Sequence, residues 1–500
     1  MSIADLPADQ VAAERPQRRR GLNRRAVLGA AVAGGVGVAA MRLWGGEALQ
    51  RIEGAIPGHP ALAGRGDWNS PLGSEQARVT QLLRRATLGA GPAELEKAFS
   101  DGFGKTVDRL VETKYAPPPA FGNSSDPSRF ARLNVAQLQQ WWLDHMLQSP
   151  TPFAERMTLF WHGHFTSDYR KVGLQTPFIY WQNLTWRDMA LTDLRSILKR
   201  VTADPAMLRY LDLATSTGAS PNENYSRELM ELFAMGAGNY TEDDVRAAAK
   251  GLAGWAEPRP TGTADIVLDP KNNLVRKLPV YDQPASGTFV PQRAYKGAPF
   301  MYLGKTAQWN TDMVIDQILT QPATAPFIVG RVLEQFVMQA PPKDYVNRLA
   351  GGFKKSGYDV KTLMRDVFNS PEFASQAAYR SLVKSPTEFM VHALRALGAE
   401  SQARLVMAGG SNMGQVLFDP PDVGGWPNNE AWISSNTVLA RVNFATTLLN
   451  AVKALPPAAD AHRQHLDDVL SPQTAAALNQ ASDDRTRWLL VLASPEFQLK

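Results

Sequence analysis

Three short runs concentrate side chains that could do chemistry. In PNENYSRELMELF, residues 221–233, Asn224, Glu228 and Glu231 are spaced three and four apart, which on a helix places an amide and two carboxylates on one face. In FWHGHF, residues 160–165, His162 and His164 stand two apart beside aromatic mass. In FDPPDVGGWPNNEAW, residues 418–432, Pro and Gly stiffen a loop that carries Trp426 and Trp432. Neutral imidazoles and carboxylates suit a hard or borderline divalent metal, and such a metal would activate water for hydrolysis. His162, His164, Glu228 and Glu231 are thus candidate metal ligands, and Glu228, His162 and Asn224 candidate catalytic residues. Trp426 and Trp432 are candidate ligand-binding residues that could stack on a flat ligand or sugar ring, although Trp under a long loop also closes a core.

Each candidate has a plainer reading. Residues two apart on a helix diverge by about 200°, so both histidines reach one site only if Gly163 breaks the helix. Otherwise one is a hydrogen-bonded core residue and the other a surface group. Arg227 and Glu231 can make an i, i+4 pair, and a charged face is usually a solvated one. Glu228 has no basic residue at i±4, so a partner must come from elsewhere in the chain; His162 is the expected one. There is no His-x-x-x-His or His-Glu-x-x-His, and no Gly-x-Ser-x-Gly, Walker loop or dinucleotide fingerprint offers a competing chemistry.

The elements that must hold these groups are helical. Ser220-Pro221 followed by Glu223 has capping-box spacing with Pro at the first helical position, predicting a helix from Pro221 or Asn222 to about Met235. Its polar arc carries Glu223, Asn224, Arg227, Glu228 and Glu231, and its apolar arc Leu229, Met230, Leu232 and Phe233. Gly236 and Gly238 end it, and Thr241 with Asp244 caps a second helix to about Gly254, which completes an αα-hairpin. The whole chain reads as mainly α, a multi-helix globular protein with an irregular or small β insertion. The expected organisation is an export signal over 1–45, a linker over 46–70, an N-terminal helical lobe over 71–256, the insertion over 257–305, a C-terminal helical lobe over 306–450 and further helices over 451–500. The insertion is longer than ordinary connections, as lids and binding surfaces are. Ser370-Pro371-Glu372-Phe373 and Ser494-Pro495-Glu496-Phe497 form a small internal echo.

Composition narrows the function classes. With 44% hydrophobic and 20% charged residues, the chain can bury substantial cores. The net charge of +5 is uneven, because residues 1–45 hold seven Arg and no Lys against Asp5, Asp9 and Glu14. The remainder is close to neutral, which gives no support to a nucleic-acid partner. The absence of cysteine excludes disulfides and Cys-ligated metal. Arg24-Arg25 stands directly before the mildly apolar run Ala26–Ala40, which is shorter than the about 20 residues of a comfortable membrane span. This resembles a twin-arginine signal, so the expected location is periplasmic or secreted, with export in the folded state and membrane contact only through an uncleaved signal.

With WHGHF, PNENYSRELMELFAMGAGNYTEDDV and PPDVGGWPNNEAWISSNTVLARVNF in this order, and Leu82–Gly89 as an opening segment, the chain resembles the bacterial family called domain of unknown function 1800 up to about Asn450. The resemblance implies an exported, largely helical protein, often encoded beside a second exported protein, with no established activity. Where the family commonly carries a His-Asp pair and a Lys shortly before Leu303-Gly304, this chain has Tyr295-Lys296 and Phe300. Two function classes follow. One is a binding or scaffold protein acting with another exported protein or a cell-surface polymer; the other is a metal-assisted hydrolase using the His/Glu cluster.

Overall fold

The computed structural model describes residues 68–500 except 113, 123–133, 175, 270–273 and 282. The expected export signal and nearly all of the expected linker lie outside the described residues. The longer helices are α1 (Glu75–Ala86), α2 (Pro92–Glu112), α3 (Val135–Gln148), α4 (Pro152–His164), α5 (Phe178–Asp188) and α6 (Leu194–Thr202). Next comes the hairpin of α7 (Asn224–Glu228), running straight into a π-helix over Leu229–Ala234, and α8 (Glu242–Leu252). After the insertion follow α9 (Thr311–Thr320), α10 (Thr324–Phe336), α11 (Lys343–Lys355), α12 (Val360–Phe368), α13 (Pro386–Ala396), α14 (Arg404–Met413), α15 (Ser435–Ala451) and α16 (Asp484–Ala493). The strands in and beside the insertion form antiparallel two-stranded pairs, β1 (Trp255–Ala256) with β4 (Thr288–Phe289), β2 (Gly262–Asp269) with β3 (Leu274–Val280), and β5 (Phe300–Tyr302) with β6 (Lys305–Ala307), and a 3-10 turn spans Pro291–Arg293. The protein is therefore mainly α with a small β insertion. Among the described residues no helix is long and apolar enough to cross a membrane.

Two large apolar cores form, and each draws on both halves of the chain. One gathers α1, α2, α6, the hairpin and α9 to α12; the other gathers α3, α5 and α13 to α16. Helix α4 serves both, with Phe153, Met157, Phe160 and Trp161 in the first and Leu159 in the second. A helix enclosed on nearly all sides must satisfy most of its polar groups internally, and Glu155 of α4 shows how. Glu155 bonds Arg187 and receives the indole N–H of Trp142, and the His145 ring lies 3.2 Å from its carboxylate.

The hairpin shows where local pattern succeeds and fails. Thr241 and Asp244 form the expected capping box on α8. The expected box at Ser220 and Glu223 does not form, because Ser220 closes a tight turn with Thr217 and the first helical N–H, that of Asn224, is taken by the Asn222 side chain. The helix starts at Asn224 instead. Its buried side is as expected, with Leu229, Met230 and Phe233 inside, joined by Tyr225. The Arg227–Glu231 pair is absent. A π-helix turns less per residue than an α-helix, so residues beyond Leu229 lose their α phase. Arg227 pairs with Glu242 at 2.6 Å and Glu223 at 3.4 Å, while Glu231 accepts the Tyr240 hydroxyl at 2.7 Å.

Candidate functional site

The C-terminal end of α4 is where the sequence motifs meet. Gly163 does not break the helix, which runs through to His164. The two histidines therefore diverge into separate environments. His162, 2% exposed, packs against Trp142, Phe418 and Trp426, and its Nε2 accepts the Phe418 N–H at 3.1 Å, which puts the ring proton on Nδ1. His164 packs among Phe160, Phe165 and Phe233, with its Nε2 3.0 Å from the Phe233 carbonyl, to which it donates. Burial pushes both imidazoles down to about 3, Arg331 adding to the effect at His164 against the Phe233 bond, so both are neutral at ordinary pH.

The Trp loop is laid on this helix end by close backbone contact. Thr166 Oγ1 donates to the Val423 carbonyl at 2.6 Å, and Gly425, at φ +86, sits so close that a Cβ there would stand 2.4 Å from the Gly163 carbonyl oxygen. Phe418 holds a left-handed φ of 67, fixed by its N–H to His162 and by its carbonyl, which accepts from Tyr169 N–H. Asn429, also left-handed, accepts the Val383 N–H and donates to Gln339. Trp432 is buried with Val383 and Leu499, whereas Trp426 is half-buried and its ring lies tilted at 38° against His162, 5.0 Å between centroids.

Asn224, Glu228 and Glu231 lie on the outer side of the hairpin. Asn224 donates to Asp212 at 3.2 Å. Glu228 is half-buried and makes no hydrogen bond or ion pair among the described residues, and it does not reach His162, whose Nε2 is already engaged. Burial raises the Glu228 carboxyl, with Glu231 adding to the rise and Arg227 opposing it. Among the described residues no three His, Asp or Glu side chains come together as a metal-binding group. The Nε2 atoms of the two histidines are engaged by backbone groups in separate environments, so the pair does not converge on one point. Tyr295 and Phe300 meet edge to face, and the Lys250 ammonium lies 5.6 and 5.4 Å from their rings.

What the arrangement does form is a small open cleft, about 70 Å³ in volume, between α4, the end of α10, the Trp loop and the C-terminal segment. Its lining includes Gly163, His164, Gln335, Trp426, Asn428 and Trp432, with Arg156, Glu388 and Lys500 on the floor and Arg331 and Glu334 on the rim. Arg156 stands 3.1 Å from Glu388 and its guanidinium lies over the Phe336 ring; Lys500 also bonds Glu388. Burial opposes ionisation of Glu388, but Lys500 and Arg156 outweigh it and hold the carboxyl down at about 2. Sequence reasoning missed this floor. Its one local signal was Ser385-Pro386-Thr387-Glu388, which does form a capping box on α13. Glu155 and Arg156 in an otherwise apolar helix were the other clue, since charges there must be paired.

The fold and cleft define a largely helical protein that gathers distant segments around one enclosed helix. The chain belongs to the family described as protein of unknown function, DUF1800, which matches residues 81–499 and so continues past Asn450 through the last helices. No curated protein and no solved structure matches it.

Proposed function

We propose that the protein is an exported binding protein, a helical scaffold whose cleft at the end of α4 holds a group presented by a second exported protein or a cell-surface polymer. The observation that carries this reading is the convergence of the WHGHF helix end and the Trp loop on the walls of one cleft, with the π-helix of the hairpin bonded behind them through Phe233 and His164. Half-buried Trp426 offers a ring of the kind that stacks on sugars and aromatic side chains. Both histidines are buried, which pushes their imidazoles down to about 3 and makes each a weak general base, and this favours binding over hydrolysis.

The test is purification from the exported fraction, with identification of co-purifying proteins and glycans, for the wild type and for Trp426→Leu, which keeps apolar bulk on His162 but removes the stacking ring. A species present with the wild type and lost with the variant is expected; an identical set from both refutes the reading. Export itself rests on Arg24-Arg25. Changing both to Lys strands the protein in the cytoplasm if the twin-arginine receptor reads them, and undiminished export would assign the general secretory route.

A further inference from the structure

We infer that the cleft takes a ligand bearing an oxyanion, a carboxylate or phosphate group, which docks on the floor at Arg156 and Lys500; this rests on the binding reading above. The argument is one of charge balance in a buried place. Arg156 and Lys500 are 2% and 3% exposed and share one carboxylate, that of Glu388. Arg85, fully buried behind them, bonds the neutral oxygens of Ala378 and Ser381, with no ion pair among the described residues, and is close enough to feel Glu388 and Arg156. Lys384 and Arg441 are buried nearby, bonded to the Phe497 carbonyl and to the Lys384 carbonyl with the Gln498 amide, and both also feel Glu388. Among the described residues Glu388 is the one acid that forms an ion pair with any of these cations. The other buried acids in this half are committed elsewhere, Asp467 to Arg84 and Glu496 to Ser471 and Thr474.

Burial pushes the ammonium groups of Lys384 and Lys500 toward the neutral form, Lys500 down to about 7, and an incoming anion favours their charged form. Donors stand ready for it. Arg156 Nε is buried without a hydrogen-bond partner, as are Nε and Nη1 of Arg85, and Arg156 lines the cleft. Arg156 Nη2 is shared between the Gln335 carbonyl at 3.3 Å and Glu388, so its Nε–H is the donor left for an oxyanion, to which guanidinium groups are well matched. The rim then modulates the field, with Arg331 and Glu334 3.7 Å apart and both half-exposed. Above the floor, Trp426 and the amides of Gln335 and Asn428 suit a polar, ring-bearing body such as a sugar acid.

The experiment uses the full chain labelled with 5-fluorotryptophan and followed by fluorine NMR, with the Trp426 and Trp432 resonances assigned through Trp426→Phe and Trp432→Phe. The probes at constant ionic strength are glucuronate, its neutral isostere glucuronamide, and inorganic phosphate. The expected result is a saturable shift of a cleft tryptophan with glucuronate or phosphate, and binding of glucuronamide weaker by about tenfold or more, as the loss of a charge-assisted bond requires. Glucuronate acting alone marks the group as a carboxylate, and phosphate acting alone marks it as a phosphate. Arg156→Gln should abolish the response. Because that change breaks a buried pair, the exposed rim supplies a second test: Glu334→Gln tightens and Arg331→Gln weakens anion binding, each by about two- to fivefold. Equal binding of glucuronate and glucuronamide overturns the anionic assignment while leaving a binding cleft in place. Absence of any cleft-tryptophan shift with all three probes also overturns it, and the binding reading is then judged by its own co-purification test.

Discussion

Replacing Gly425 by Ala tests the contact that seats the Trp loop on α4. The residue sits at φ +86, and an added Cβ would fall 2.4 Å from the Gly163 carbonyl oxygen and 3.1 Å from Thr166 Cγ2. The left-handed backbone alone costs about 1–2 kcal/mol for a residue with a Cβ. The carbonyl oxygen belongs to a helix end and cannot rotate away, so the loop must lift, at a cost typical of overpacking, about 1–3 kcal/mol. Together these predict a loss of roughly 2–5 kcal/mol, read as a lower urea midpoint at unchanged slope. The opposite side of the contact gives the control. Gly163 lies within the helix and its added Cβ would meet nothing within 4 Å. Gly163→Ala should therefore stabilise by about 0.5–1 kcal/mol through the restricted unfolded chain. A Gly425→Ala protein as stable as the wild type, or Gly163→Ala as the worse of the two, would refute the seating described above.

Thr241→Ala should cost about 1 kcal/mol by loss of a formed cap, whereas Ser220→Ala should stay within about 0.5 kcal/mol, both compared by thermal or urea unfolding. Glu155→Gln breaks a fully buried pair with Arg187 and should cost about 3–5 kcal/mol in the same assay. Burial opposes the Glu155 charge, but Arg187 and His145 hold its folded carboxyl at about 2, below the unfolded value, so this contribution is fully present above about pH 4.5 and is lost as pH falls toward 2. His162 and His164 act in the same direction: the unfolded chain binds their protons first, so stability falls from about pH 6.5 downward to about 3, and acid titration should show no imidazolium for either in the folded protein near pH 5. Glu228→Gln should leave stability within about 0.5 kcal/mol of the wild type, because the carboxylate has no hydrogen-bond or ion-pair partner among the described residues to lose.

Helix content, the β-bearing insertion and the amphipathic hairpin were legible because each is set by neighbours within a turn or two of sequence. The same Ser-Pro-x-Glu spelling shows the limit of such reading. At Ser385 it makes a capping box, and at Ser220 it does not, because a turn with Thr217 takes the serine and Asn222 takes the first helical N–H. The echoed Ser-Pro-Glu-Phe runs do share a local solution, with Ser370 and Ser494 accepting from the N–H groups of Phe373 and Phe497.

The sequence by itself determined which segments become helices, where many of them are capped, and that the three polar runs would stand out from their surroundings. Only the tertiary structure decided what those polar groups meet. The π-helix after Glu228 shifts the phase on which a Glu231 pairing depended, and burial, which no spacing reports, keeps His162 and His164 neutral and bonded to backbone. The cleft floor joins Arg156, Glu388 and Lys500 from three distant parts of the chain. Periodicity describes a residue's own helix face, whereas a buried charge finds its partner through the packing of other elements, and that pairing is fixed only when the cores close.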